Sequence, residues 1–143
     1  MKDSIFDFDK MLCFALYSTS NAMMRSYAKP LKEIGITYPQ LLVLVALWEQ
    51  NDVSVSTLSE KTLYDLGTLT PIIKRLESAG MIKVYLDSLD RRRRNVMITE
   101  QGLELKASVT EIFEDMRCRI NLTDEEVIAA LNIFRKIKGG LIT

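Results

Sequence analysis

The feature that most constrains the fold is the segment 68–99, where a helical pattern of apolar residues changes abruptly to a hairpin pattern. Within "TLTPIIKRLESAG" the apolar residues recur at i, i+3, i+4 and i+7, at Leu69, Ile72, Ile73 and Leu76. This spacing predicts one buried helical stripe, and Gly80 predicts where the helix ends. The runs "MIKVYL" and "NVMIT" that follow are rich in β-formers and flank "DSLDRRRR", which is typical of a β-hairpin.

A second short helix is predicted just before this segment. "NDVSVSTLSEKT" predicts a turn at Asn51 and Asp52, an extended piece over 53–55 and a small helix from Leu58 to about Thr62. "LYDLG" then predicts a tight turn. Two short helices joined by a tight turn form a helix-turn-helix pattern, and the hairpin after the second helix is a wing.

Longer helices are predicted on both sides of this region. Apolar residues recur at helical spacing from about residue 8 to residue 34, with Pro30 as a point of bending. "ITYPQLLVLVALWEQ" predicts a second helix capped by Thr37, and two more are predicted over 100–119 and 123–142, the last opened by the box Thr123 to Glu126. The predicted fold class is mostly α with a small β-wing, a winged helix-turn-helix.

Composition excludes several classes of protein. The chain is 48% hydrophobic and 27% charged with 6 Gly and 3 Pro, too apolar for disorder and too poor in turn residues for an all-β fold. The longest apolar run, "LLVLVALW", is too short for a membrane span, and "MKDSIFDFDK" lacks the pattern of a signal peptide. We therefore expect a cytoplasmic protein with no membrane partner.

Charge is distributed unevenly along this neutral chain of 19 basic and 19 acidic residues. The segment from Lys74 to Arg94 contains seven basic residues and only three acidic ones. This local excess of positive charge is expected where a protein surface binds phosphates. We predict double-stranded DNA as the partner, contacted by the helix residues Thr68, Thr70, Pro71, Lys74 and Arg75 and by the wing residues Arg91, Arg92, Arg93 and Arg94. Asp90 is predicted to pair with a neighbouring arginine and fix the shape of the wing.

Specific motifs give the chain a resemblance to a known family. "DRRRRNVMITEQG" fits D-x-R-x-x-x-V followed by T-x-x-G, and with the order of elements it resembles the MarR family of winged-helix repressors. "LCFALYS", "ITYPQLLVLVALWE" and "LYDLGTLTPIIKRLESAGMI" are similar to its organic-hydroperoxide-sensing, OhrR-like branch. Leu66 departs from that pattern, because relatives often have serine there.

The resemblance implies a homodimer that binds a pseudo-palindromic operator. It implies an N-terminal dimerisation helix over 1–36, a winged DNA-binding region over 37–100 and C-terminal dimerisation helices over 101–143, all in one integrated domain. It also implies that Cys13 senses organic hydroperoxide and that the tyrosines around it support the thiolate: Tyr17, Tyr27 and Tyr38. Cys118 lies where some members have a second thiol that forms an intersubunit disulfide, and a small-molecule thiol is the alternative.

The sequence separation of Cys13 and Tyr27 restricts how they can meet in such a sensor. Tyr27 follows Cys13 by fourteen residues, roughly 21 Å along a continuous helix at about 1.5 Å per residue. The two side chains meet only if the tyrosine comes from the other subunit or the helix folds back. The chemistry suits these groups, because the thiolate is the reactive form of cysteine and tyrosine hydroxyls that donate hydrogen bonds favour it. Flanking arginines, Arg117 and Arg119, would stabilise a thiolate at Cys118.

Other functions remain open at this stage. The absence of histidine argues against an enzyme with His-based catalysis or a His-ligated metal, and no cofactor motif is present. A thiol peroxidase using both cysteines would not need a helix-turn-helix with a basic wing. A MarR-type repressor released by a small aromatic or drug-like ligand fits the same fold, and so does a helical protein-interaction module with a basic loop. We predict a repressor that binds DNA when reduced and releases it when Cys13 is oxidised.

Overall fold

The computed structural model describes residues 6–142 of the chain, which form two compact units that divide after Thr110. The predicted segments 1–36 and 101–143 therefore extend, at residues 1–5 and 143, outside the described residues. Among the described residues, the 3-10 turn Phe8–Lys10 precedes six helices. The helices are α1 Leu12–Glu33, α2 Tyr38–Glu49, α3 Val55–Thr62, α4 Leu66–Ser78, α5 Glu100–Ile120 and α6 Asp124–Leu141. The strands are β1 Val53–Ser54, β2 Ile82–Leu86 and β3 Arg94–Ile98. The predicted fold class, mostly α with a small β-wing, is confirmed.

Helix α2 is the centre of the first unit. Its start is fixed by the predicted capping box, in which the Gln40 amide N–H donates to Thr37 Oγ1 (3.4 Å) and the Thr37 N–H donates to Gln40 Oε1 (2.9 Å). Its side chains are buried on almost every side, with Val43 and Leu44 fully enclosed. Such a helix can only exist inside a core, because it has no polar face to give to water.

The second helix of the helix-turn-helix begins earlier than the sequence predicted. The predicted tight turn included Leu66 and Gly67, but both belong to α4, because Asp65 caps the helix by accepting a hydrogen bond from the Thr68 N–H (2.7 Å). Helix α3 ends at Thr62, and Leu63 after it has a left-handed φ of 62°. The true turn is therefore only the segment 63–65.

The wing is the predicted hairpin, completed by a third strand. The strand order is β1-β3-β2, all antiparallel, with Val53 opposite Val96 and Val84 opposite Val96 on its other side. Thr99 connects the wing to α5: its hydroxyl donates to the Gly80 carbonyl (2.7 Å) and accepts from the Gly102 N–H (3.2 Å). The extended piece predicted at 53–55 is a strand only over Val53–Ser54. Helix α3 begins at Val55, three residues before its predicted start at Leu58, because the Ser54 side chain caps it by accepting from the Thr57 N–H (3.1 Å).

The second unit, from residue 111 onward, holds the end of α5 and all of α6. The predicted box opens α6, with the Thr123 side chain accepting from the Glu126 N–H (3.2 Å) and the Thr123 N–H donating to Glu126 Oε2 (2.8 Å). Arg117 forms an ion pair with Asp124 across the α5–α6 turn. Of the helices described, none is by itself long and apolar enough to cross a membrane; α1 and α2 meet that test only as a pair bent by 78°.

Candidate DNA interface and thiol site

Helix α4 has one buried face and one exposed face. Leu69, Ile73 and Leu76 are buried, and the five predicted DNA contacts of this helix are all exposed: Thr68, Thr70, Pro71, Lys74 and Arg75. The Thr70 hydroxyl donates to the Leu66 carbonyl one turn earlier (2.7 Å), which leaves its methyl group and its oxygen lone pairs for a partner. The exposed face therefore combines small side chains near the helix start with two cations further along.

The tip of the wing carries the predicted arginines. Arg91, Arg92, Arg93 and Arg94 are all exposed. Asp90 accepts a hydrogen bond from the Arg92 N–H (3.0 Å) and lies 3.4 Å from Arg92 Nε, while its carbonyl accepts from the Arg93 N–H (2.9 Å). Because Arg92 is 94% exposed, its ion pair contributes little stability, and the backbone hydrogen bonds define the turn.

Asp87 also organises the wing, which the sequence analysis did not predict. Its Oδ1 accepts from the Leu89 N–H (2.8 Å) and the Asp90 N–H (3.3 Å), and its Oδ2 accepts from Asn95 Nδ2 (3.1 Å). These bonds, the one from Leu89 foremost, hold the pKa of the Asp87 carboxyl below its ordinary value. The signal was an aspartate opening a turn in "DSLD", where an Asx turn is common.

A small cleft separates α4 from the wing. It has a volume of about 170 Å³ and is lined by Thr70, Ile73, Lys74, Glu77, Val84 and Arg94. Glu77 Oε2 accepts from the Val84 N–H (2.8 Å), which links α4 to the outer edge of β2. Lys74 and Arg94 thus line a cleft in which the only carboxylate among these described lining residues, that of Glu77, already accepts a hydrogen bond from the Val84 N–H.

The predicted thiol site is divided between the two ends of α1. Cys13 lies in the first turn and is exposed, as is Tyr17 one turn later. Tyr27 is buried near the other end and packs against Tyr38, with ring centroids 5.6 Å apart. Because α1 is one continuous helix from Leu12 to Glu33, the structure does not bring Cys13 and Tyr27 together within one chain.

The environment of the two inner tyrosines affects their ionisation. Burial raises the pKa of both Tyr27 and Tyr38 above its ordinary value, and the negative charge that Tyr38 would carry raises the pKa of Tyr27 further. Both hydroxyls therefore stay protonated at every physiological pH.

A pair of aromatic rings lies at the end of α1 that carries Cys13. Phe8, from the 3-10 turn, packs against Phe14 with ring centroids 4.9 Å apart and planes inclined by 60°. Leu12 is 60% exposed on the same helix end. The end of α1 that carries Cys13 therefore exposes several apolar side chains.

Cys118 lies in the second unit, exposed near the end of α5. The Arg117 guanidinium beside it is engaged by Asp124. Of the two arginines predicted to stabilise a Cys118 thiolate, Arg117 is therefore already paired with a carboxylate.

A larger cavity lies beside Tyr38 in the first unit. Its volume is about 540 Å³, and it is lined by Met24, Ala28, Leu31, Lys32, Gly35, Ile36, Thr37 and Tyr38. Its wall is mainly apolar with a single cation. Within residues 6–142, no group of three or more His, Cys, Asp or Glu side chains is arranged to hold a metal ion.

Comparison with known proteins agrees with this architecture. The model of the MarR family matches residues 36–93, the helix-turn-helix and the wing up to its arginines. The chain is 38% identical over 104 residues to the organic hydroperoxide resistance transcriptional regulator of Bacillus subtilis, a match that covers 73% of this chain and 71% of that protein. This chain belongs to the MarR family. The predicted resemblance to winged-helix regulators of this family is confirmed.

Two further relatives extend the comparison. The transcriptional regulator TtmR of Methylorubrum extorquens is 40% identical over 101 residues, or 71% of this chain, and this MarR-family chain spans about half (52%) of the length of TtmR. The solved structure of reduced AbfR bound to DNA matches with a TM-score of 0.83 and 31% identity, covering 99% of this chain and 96% of that one. AbfR, from Staphylococcus epidermidis, has also been solved in a disulfide form, which matches with a TM-score of 0.75 and 29% identity.

Proposed function

We propose that this MarR-family chain is a redox-sensing transcriptional repressor. It binds operator DNA as a reduced homodimer and releases the DNA when an organic hydroperoxide oxidises Cys13. The proposal joins three parts: a DNA interface, a dimer and a thiol switch.

The DNA interface is the exposed face of α4 together with the wing. Thr68 and Thr70 approach base edges in the major groove, and Lys74 and Arg75 bind phosphate or guanine. The wing arginines suit the narrow minor groove, where the potential is most negative. The same fold in reduced AbfR bound to DNA supports this arrangement.

The dimer accounts for apolar surface that a single chain leaves exposed. On α6, Ile128, Leu131 and Phe134 are exposed and fall at i, i+3 and i+6, a single stripe. On α1, Leu12 and Phe14 are exposed as well. Such surfaces on one chain are those expected of an obligate partner interface.

The observation that carries the redox part is the buried tyrosine pair at the far end of α1 from Cys13. Tyr27 and Tyr38 keep their protons, so they suit the support of a thiolate. Because α1 is one continuous helix through both positions, the thiolate they support is that of the other subunit. A sensor of this kind spans both chains, so its oxidation acts on both DNA-binding regions.

The oxidation step conserves atoms and electrons. The Cys13 thiolate attacks one peroxide oxygen, an S–O bond forms, the O–O bond breaks, and the alcohol leaves after taking up a proton. Sulfur is oxidised to sulfenic acid and the hydroperoxide is reduced. A second thiol, from Cys118 or a small molecule, then forms a disulfide and releases water. The charge and hydrogen bonds at Cys13 change at each step.

One titration tests the proposal. DNA from upstream of the chain's own gene is bound to the reduced protein, and a stoichiometric organic hydroperoxide is added to wild type, Cys13→Ser and Cys118→Ser. We expect wild type to release the DNA and Cys13→Ser to keep it. Release by Cys13→Ser equal to that of wild type would refute the thiol switch, and the Cys118→Ser arm tells whether the second protein thiol completes it.

The cavity beside Tyr38 favours one alternative function, a repressor released by a small ligand. A volume of about 540 Å³ with an apolar wall and Lys32 at its edge suits a small aromatic acid. If such an acid releases the protein from DNA, and does so equally in the Cys13→Ser variant, this alternative function is the correct one.

A further inference from the structure

A contact between residues far apart in sequence ties the wing to the body of the first unit. The Tyr85 hydroxyl, near the end of β2, donates a hydrogen bond to the Asp52 carboxylate in the turn between α2 and β1. We propose that this hydrogen bond aims the wing at DNA, which makes Tyr85 and Asp52 positioning residues for operator binding. The inference rests on the proposed DNA-binding function and deepens it.

The acceptor side of this contact is rigid. Asp52 has a φ of 58°, a left-handed conformation that aspartate tolerates better than most residues. The preceding Asn51 uses its Oδ1 to accept from the Asp52 N–H (2.9 Å) and from the Ile98 N–H of β3 (2.9 Å). The turn follows directly on the buried helix α2. The Asp52 carboxylate is therefore fixed with respect to the core.

The donor side lies near the open end of the wing. β2 is an edge strand that pairs only with β3 among the described strands, and Tyr85 opposite Asn95 is its last pair but one. Beyond it the tip, 88–93, is exposed to solvent. The hydrogen bond to Asp52 is the main cause that raises the pKa of Tyr85, so the hydroxyl remains a donor across the neutral range.

The geometry gives this one contact a large effect at the tip. A strand rises about 3.3 Å per residue, so Asp90 at the tip lies up to roughly 16 Å beyond Tyr85. A tilt of about 10° at Tyr85 would then move the wing arginines by about 3 Å, the length of a hydrogen bond. Recognition by charge-assisted hydrogen bonds does not tolerate such an error.

The experiment measures DNA affinity in two backgrounds. Tyr85→Phe keeps the ring and removes the hydroxyl, and it is made in wild type and in the triple variant Arg91→Ala, Arg92→Ala, Arg93→Ala. At low salt, with the upstream duplex as probe, we expect Tyr85→Phe to weaken binding about five- to tenfold in wild type. In the triple variant we expect Tyr85→Phe to weaken binding less than about twofold, because the three arginines of the segment 88–93 are gone and only Arg94, held at the start of β3, remains.

A second pair of variants separates positioning from folding. Asp52→Gly removes the hydrogen-bond acceptor, and glycine adopts the left-handed backbone at this position without strain. The variant should lose as much DNA affinity as Tyr85→Phe, and combining the two substitutions should cause no further loss. Tyr64→Phe, which removes a phenol hydroxyl from the loop before α4, is the matched control and should bind like wild type. Equal losses in both backgrounds, additive losses of the pair, or unchanged binding by Tyr85→Phe would overturn the positioning role alone. Failure of reduced wild type to bind any duplex would overturn the proposed function, and the positioning role with it.

Discussion

Asp65 shows how one side chain defines the start of α4, the second helix of the helix-turn-helix. Its carboxylate accepts the Thr68 N–H, and that hydrogen bond is the main cause that holds the pKa of Asp65 below its ordinary value. Asp65→Ala should lower the unfolding midpoint by about 3–6 °C, while Asp65→Asn, which also caps, should lower it less. Thermal unfolding followed by circular dichroism at pH 7 measures both.

The same residue gives a pH dependence with a defined sign. Because the pKa of Asp65 is lowered on folding, its contribution is complete above the ordinary carboxyl value of 3.8 and is lost as pH falls through the native value. The amide of the Asp65→Asn variant does not titrate, so its capping hydrogen bond is independent of pH. In a denaturation series from pH 6 to pH 3, wild type should therefore lose stability faster than Asp65→Asn below about pH 4. Parallel curves for the two proteins would contradict this.

Tyr38 makes a second prediction at the scale of one residue. Tyr38→Phe keeps the packing on Tyr27 but removes a hydroxyl that stays protonated at neutral pH. If that hydroxyl supports the Cys13 thiolate, thiol loss with cumene hydroperoxide at pH 7 should slow about tenfold, measured by stopped flow. Tyr85→Phe, a matched removal of a phenol hydroxyl in the wing, should react like wild type. An unchanged rate in Tyr38→Phe would remove Tyr38 from the sensor.

At the scale of elements, the start of α5 depends on a glycine. A Cβ on Gly102 would lie 2.3 Å from the Met81 carbonyl and 2.6 Å from Ile98 Cγ1, and the Gly102 carbonyl accepts from Trp48 Nε1 (3.2 Å). Gly102→Ala should therefore destabilise the protein by about 2–3 kcal/mol, because backbone must move. Gly139→Ala in α6, where a Cβ meets nothing within 4 Å, should be neutral or stabilising by up to about 1 kcal/mol. Chemical denaturation measures both, and equal effects would refute the packing argument.

Local signals predicted most elements, and long-range contacts were missed. "TYPQ" and "TDEE" predicted the starts of α2 and α6, because each capping box lies within four residues. The start of α4 was misplaced because Leu66 and Gly67 look like a turn until the Asp65 cap is known. The bond from Tyr85 to Asp52 joins residues 33 apart, and it depends on the register of a hairpin against a turn that no sequence pattern specifies.

In the candidate site too, features set by local sequence were predictable and contacts between distant residues were not. The exposed side chains of α4 and of the wing tip were predictable, because amphipathic spacing and turn position determine which side chains face solvent. The pairing of Tyr27 with Tyr38 came only from the resemblance to a family, since it joins two helices across a loop. Glu77 and Asp87 appeared in sequence only as acidic residues, yet each holds wing backbone or side-chain N–H groups.

At the scale of the whole molecule, the exposed stripe on α6 predicts the assembly. Ile128, Leu131 and Phe134 are 59%, 45% and 43% exposed, and burying them against a second copy would remove apolar surface from water on both chains. Leu131→Glu places a charge in the middle of this stripe, where desolvation is unfavourable. We expect it to raise the dimer dissociation constant at least about a hundredfold in sedimentation equilibrium.

A control variant and a DNA-binding measurement test whether the stripe on α6 forms the dimer interface. Ala129→Glu adds the same charge on the opposite side of α6 and should leave the dimer intact. If both DNA-binding regions must engage one operator, Leu131→Glu should also weaken DNA binding steeply at protein concentrations where it is monomeric, and binding should return as the concentration rises. A Leu131→Glu protein that stays dimeric would exclude this face of α6 from the interface, and one that binds DNA equally well as a monomer would refute the dimeric operator complex.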